Sequence, residues 1–203
     1  MIKIGLCGSS GSGKGYVSKK FKAYGVEYID TDKVYRDIAV GGSDCVNELC
    51  GYFGEGIVSE DGVLDRKELS RRVFEGDNAS AHLKMLNEIT HKYIRRETER
   101  ILCENEKSGV VATIIDAPVL FESGFDKLCD VTVCVTAPME LKIKRIIKRD
   151  GITDKKTEAR LQSQLSDDVL RDKCDYEIVN DDSGSLEGEI ARVAESLGLL
   201  SKK

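Results

Sequence analysis

Gly8-Ser9-Ser10-Gly11-Ser12-Gly13-Lys14 governs how the rest of this chain is read. The stretch follows a short apolar run, Ile2-Lys3-Ile4-Gly5-Leu6-Cys7, and precedes a segment that places Val17, Phe21 and Tyr24 on one side of a helix. A strand that passes through such a loop into a helix N-terminus makes a cradle for phosphate. Its glycines let backbone N–H groups converge on anionic oxygens, while the helix dipole and Lys14 add positive charge. The candidate phosphate-binding residues are therefore Gly8, Gly11, Ser12, Gly13 and Lys14, with Gly15 and Tyr16 in the first helical turn. Such a loop normally closes on Ser or Thr, whose hydroxyl binds Mg²⁺, but here Gly15 holds that place.

Five apolar runs read as buried parallel strands: Ile2–Cys7, Val26–Ile29, Val110–Ile115, Val131–Val135 and Tyr176–Val179. Helix-period segments lie between them. The alternation predicts an α/β fold, a doubly wound parallel five-stranded sheet of the P-loop NTPase type within one domain over 1–203. The interval between the second and third strands is far longer than one crossover helix needs, so an inserted helical lobe is expected over about 52–103. Within it, Leu83, Leu86, Tyr93, Ile94 and Ile101 fit one long amphipathic helix. His91, Arg95, Arg96 and Arg100 can form a cationic edge there, or a solvated face balanced by neighbouring acids.

A second interruption, over about 139–165, follows the fourth strand. Lys142, Arg145 and Arg149 recur at helical spacing, Gly151 breaks the helix, Thr153 can cap the next, and Arg160 and Gln164 follow. A basic helical hairpin beside a phosphate site suits a closing lid, whose arginines meet charge growing on a transferred phosphoryl group. An ordinary charged surface hairpin fits the same pattern.

Asp30 and Asp32 stand at the carboxyl end of the second strand, the edge where open parallel sheets bind ligands. A carboxylate there can take a proton from a hydroxyl nucleophile, hold Mg²⁺, or simply cap the helix that follows. Asp116 ends the third strand and is a second candidate for the metal or its waters; a strand-terminating turn is the alternative.

Composition narrows the class. A net charge of −5 argues against a broad nucleic-acid or anionic-membrane surface, and no apolar run approaches membrane-spanning length. Seven cysteines at irregular spacing predict reduced thiols in a cytoplasmic protein, structural or incidental like His82, and no structural zinc site.

Taken in order along the chain, several short pieces resemble the dephospho-coenzyme A kinase family. They are Gly5-Leu6-Cys7-Gly8 through Lys14, Ile29-Asp30-Thr31-Asp32, Leu64-Asp65-Arg66-Lys67-Glu68-Leu69, Val73-Phe74 and Leu86-Asn87-Glu88-Ile89-Thr90-His91. Pro118-Val119-Leu120-Phe121-Glu122, Arg145, Arg149-Asp150-Gly151, Ala159-Arg160, Gln164 and Asp175-Tyr176 leading to Asn180 complete the match. The resemblance implies transfer of the ATP γ-phosphoryl to the ribose 3′-hydroxyl of dephospho-coenzyme A, with Mg²⁺. It implies Asp32 as the base, Lys14 and the loop amides on the β- and γ-phosphates, and Arg145 and Arg149 closing over them. His91, with Arg95 one turn on, falls to the acceptor lobe. Three places depart from the family's pattern: Gly15, Lys92 after the histidine, and Cys7 with Ser9-Ser10. Mg²⁺ leans on substrate phosphates and keeps several waters, so a further water can replace the missing hydroxyl, at a cost on the order of 1–3 kcal/mol. Two other readings share these residues: a kinase for another nucleoside or nucleotide, and a nucleotide- or coenzyme-A-binding regulator of low turnover.

Overall fold

The computed structural model describes residues 1–200. Contacts divide the chain into two compact units, Met1–Ile29 with Glu104–Lys203, and Asp30–Cys103.

The first unit carries the sheet. Strands β1 (Ile2–Cys7), β2 (Val26–Asp30), β3 (Ala112–Asp116), β4 (Val131–Thr136) and β5 (Tyr176–Val179) lie in the order β2-β3-β1-β4-β5. β1 is central and parallel to both neighbours, with Leu6 opposite Asp116 on β3 and Cys7 opposite Cys134 on β4. Helices on both faces of a parallel sheet bury both sides of its central strands, which is why β1 and β4 are mostly apolar. Ile4, Leu6, Val17, Phe21, Ile114, Val133, Val135 and Ile178 form the core, closed by Ile190 and Val193 of the last helix. β3 begins at Ala112 rather than Val110, because the Val110 amide donates to the Asn105 carbonyl at 3.0 Å and closes the preceding helix.

Helices flank this sheet. α1 (Lys14–Phe21) buries Val17 and Phe21, one turn apart, and ends before the αL residue Gly25. In the second unit are α2 (Thr31–Ile38), α3 (Asp44–Phe53) and α4 (Arg66–Phe74), and α5 (Ala79–Lys107) runs on past its end. The remaining helices, α6 (Met139–Asp150), α7 (Asp154–Gln162), α8 (Asp167–Lys173) and α9 (Leu186–Ser196), belong to the first unit. α6 stops at Gly151, whose left-handed φ of 64° accompanies an N–H bond back to Ile147. Thr153 takes the N-cap position of α7 without a side-chain capping bond; instead the Thr157 hydroxyl donates to its carbonyl at 3.1 Å.

The second unit has its own core of Val46, Leu49, Phe53, Ile57, Leu69, Val73 and Ile89. It begins at Asp30, so it includes α2 and α3, and Tyr52 lies inside α3. Ser43 and Asp65 cap α3 and α4 through their side-chain oxygens. Along α5 the buried stripe is Ile89, Thr90, Ile94, Thr98 and Leu102, whereas Leu83 stays exposed. His82 bonds the Arg72 carbonyl through Nδ1 at 2.9 Å and packs edge-on to Tyr52 and Phe53, which is a structural role.

Candidate active site

The glycine-rich turn leaves β1 at Cys7 and enters α1 at Lys14. Gly11 and Gly13 need to be glycine. Both have left-handed φ, 78° and 93°, and a Cβ on Gly11 would lie 2.6 Å from the Lys142 carbonyl oxygen. On Gly13 it would strike the Asn180 amide. Ser12 N–H closes the turn onto the Ser9 carbonyl at 3.1 Å, while the amides of Gly11, Gly13, Lys14 and Gly15 have no acceptor among the described residues. The buried Ser12 hydroxyl also lacks a hydrogen-bond partner there. Unsatisfied donors gathered at a helix N-terminus constitute an anion site.

Lys14 points to the end of β3, where its ammonium pairs with Asp116. The other Asp116 oxygen accepts the Tyr28 hydroxyl. Asp116 is buried, so the Lys14 charge is held and only partly exposed, with a side-chain exposure of 15%. Tyr28 escaped the sequence reading because a tyrosine on a strand looks like core. Tyr16 turns outward: it is 47% exposed and its hydroxyl donates to Glu187 at 3.3 Å.

Four side chains hold the outside of the loop. Arg145 donates to the carbonyls of Gly11 at 3.1 Å and Ser12 at 3.3 Å, to Asn180, and to Asp182 at 2.5 Å. Asn180 Nδ2 donates to the Ser12 carbonyl at 2.7 Å. Gln164 Oε1 accepts the Ser10 amide at 2.9 Å. Lys142, expected on the cationic face, is instead buried: its ammonium lies 2.9 Å from Asp167 and 3.2 Å from the Ser9 hydroxyl. The helical period hid this, since position 142 lies one turn before the core residue Ile146. Arg149 lies further along α6, where it and Arg160 both bind Asp150, at 2.7 and 2.6 Å. These arginines, Arg149 first, hold the Asp150 carboxyl down at about 2.

In the second unit, Asp30 caps α2 by accepting the Lys33 amide at 3.0 Å. Asp32 is exposed in the first turn of that helix, where its charge also suits the dipole. His91 is half-buried on α5, and burial lowers its pKa from the usual imidazole range. Arg95, one turn on, pairs with Glu99 at 3.2 Å. Among the described residues no cluster of three or more His, Cys, Asp or Glu could cage a metal. Nor is any helix among the described residues long and apolar enough to cross a membrane.

A parallel sheet in this order, with an anion cradle between its central strand and first helix and a lysine at the mouth, defines a P-loop phosphotransferase. Residues 2–186 match the family model of CoaE, dephospho-CoA kinase, and the chain belongs to that family. A dephospho-CoA kinase of Corynebacterium glutamicum is 36% identical over 92% of this chain and 91% of its own length. Among solved structures, TT1252 from Thermus thermophilus superposes with a TM-score of 0.74 at 29% identity, covering 97% of this chain and 95% of that one. Dephospho-CoA kinase from Campylobacter jejuni gives 0.69 at 25% identity, covering 96% of each. The activity is ATP-dependent phosphorylation of dephospho-coenzyme A, the final step in forming coenzyme A.

Proposed function

We propose that the chain carries out this transfer with the Gly8–Gly15 loop and Lys14 on the ATP phosphates and with Asp32 as the base at the ribose 3′-hydroxyl. The observation that carries the proposal is the cradle itself: four loop amides and a buried Ser12 hydroxyl without partners among the described residues lie at the mouth that Lys14 guards. Phosphoryl transfer asks a protein mainly for positioning and for charge opposite the phosphate oxygens. The loop amides supply fixed donors. Lys14 exchanges part of its pairing with Asp116 for phosphate oxygen, and Arg145 keeps the loop carbonyls turned away from the anion. Arg149, only salt-bridged to Asp150, is available to leave that pair for a phosphate. Asp32 accepts the proton released as the hydroxyl attacks, while His91 and Arg95 serve acceptor binding in the lobe.

The donor set also fits Mg²⁺. Asp116 is one buried carboxylate at the end of β3, and nothing lies within 4 Å of a Cβ built on Gly15. One carboxylate, acting through water, suits an ion that takes most of its ligands from phosphates and solvent. Asp116, through water, would hold the ion, which would supply positive charge against the phosphate oxygens. All seven cysteines are free thiols, which suits a reducing cytoplasm.

The test is purified protein with ATP, Mg²⁺ and a panel of hydroxyl acceptors, following ADP release and identifying the product. Coenzyme A as the preferred product supports the proposal. Faster transfer to another nucleoside, or tight binding of both ligands without ADP release, refutes it.

A further inference from the structure

Three thiols meet at the root of the phosphate loop. Cys7 ends β1, Cys134 faces it across the ladder on β4, and Cys174 follows α8. Cys7 Sγ and Cys174 Sγ are 3.4 Å apart. Cys7 and Cys134 are buried, whereas Cys174 is half-buried.

We propose that Cys7 and Cys174 are a dithiol modification site that small disulfides such as glutathione disulfide convert to a bond locking the phosphate loop to α8. The sulfurs need to close by about 1.4 Å to reach bonding distance. Cys7 can supply that movement because it is the last strand residue and is followed by Gly8. Cys134 cannot, being held between β1 and β5 on both sides. The Cys134 thiol is pushed up in pKa, by its hydrogen bond with Cys174 and then by burial. The hydrogen bond with Cys134 lowers the Cys174 thiol, but Cys7 and burial raise it further, to about 12, so exchange proceeds through a small thiolate fraction and quickens as pH rises.

The exchange balances. The Cys174 thiolate attacks one sulfur of glutathione disulfide, the reagent's bond breaks, and one glutathione leaves and takes up a proton. Cys7 then loses its proton and attacks the Cys174 sulfur, forming the Cys7–Cys174 bond and releasing the second glutathione.

The effect on catalysis rests on the proposed function; the bond itself does not. α8 already touches the loop through Asp167, which accepts the Ser9 hydroxyl at 3.0 Å. A covalent link on the far side of Gly8 closes a ring around the loop's first residues and removes their freedom to settle on phosphate. A displacement of about 1 Å at a reacting group costs up to about a hundredfold.

The full chain is incubated with glutathione disulfide and mapped by mass spectrometry without reduction, with kinase activity measured in parallel. The expected result is a Cys7–Cys174 peptide pair and a fall of about ten- to a hundredfold in kcat/KM for ATP, reversed by dithiothreitol. Cys174→Ala abolishes both, and Cys103→Ala, at the exposed thiol, leaves both intact. A Cys134–Cys174 pair, or glutathione on Cys103 with no internal bond, overturns the site. A Cys7–Cys174 bond with unchanged turnover overturns the locking role, and a reduced protein without kinase activity overturns only the reading beneath it.

Discussion

Replacing Lys142 with methionine isolates one interaction at the back of the phosphate loop. Its side chain is 5% exposed and that of Asp167 is 17% exposed, with 2.9 Å between the charges. Removing one member of a buried ion pair typically costs about 3–5 kcal/mol, because the other charge is left without compensation. Here Asp167 keeps the Ser9 hydroxyl at 3.0 Å and a longer contact, 3.4 Å, from the Ala137 amide. The loss should therefore fall at the lower end, about 3 kcal/mol. For a chain of this size each kcal/mol moves the midpoint by roughly 2–4 °C, so Lys142→Met should melt about 6–12 °C lower. The double variant Lys142→Met/Asp167→Leu should recover most of the loss, since a well-packed apolar pair is often as stable as the ion pair it replaces. Thermal melts followed by circular dichroism provide the assay, with a coupled assay for the ATP KM. A single variant within about 2 °C of the parent would show that the buried charge carries no such weight. A double variant no better than the single would show that Asp167 is not what is left stranded.

Three other outcomes are expected. Asp32→Asn should lower kcat by about 10²- to 10⁴-fold, the range for a lost general base, with ATP affinity close to the parent by calorimetry; survival of most activity would remove Asp32 from that role. Gly15→Ser should tighten the apparent Mg²⁺ requirement, because the structure has room for the side chain and serine is the better helix former by a few tenths of a kcal/mol; an unchanged magnesium titration would mean that the ion does not approach this turn. The Asp150 carboxyl is lowered from 3.8 to about 2, so its link to Arg149 and Arg160 helps stability above about 3.8 and is lost as pH falls through about 2. Acid titration monitored by circular dichroism should thus show a smaller slope over that window in Asp150→Asn, and identical slopes would count against the tether.

The strand pattern and the glycine loop were legible in the chain because their signals are local. An apolar run of strand length, a turn that tolerates left-handed backbone and a lysine at a helix start each depend on residues that adjoin one another. Gly151 as a helix stop and the five-strand alternation were open to the same reasoning. The pairings that packing settles depend on residues far apart in sequence. Lys142 reads as one more cation on a basic helix until the loop, 133 positions away, packs its Ser9 against it. Tyr28 becomes a partner of Asp116, and Asn180 a support for Ser12, only when β2 joins the sheet edge and β5 ends beside the loop. Cys7 and Cys174 are likewise 167 positions apart and meet only because β1 and β5 flank β4. Periodicity reports which face of an element is apolar; which charge or thiol is buried against which partner is set by packing between elements, and that has no local signature.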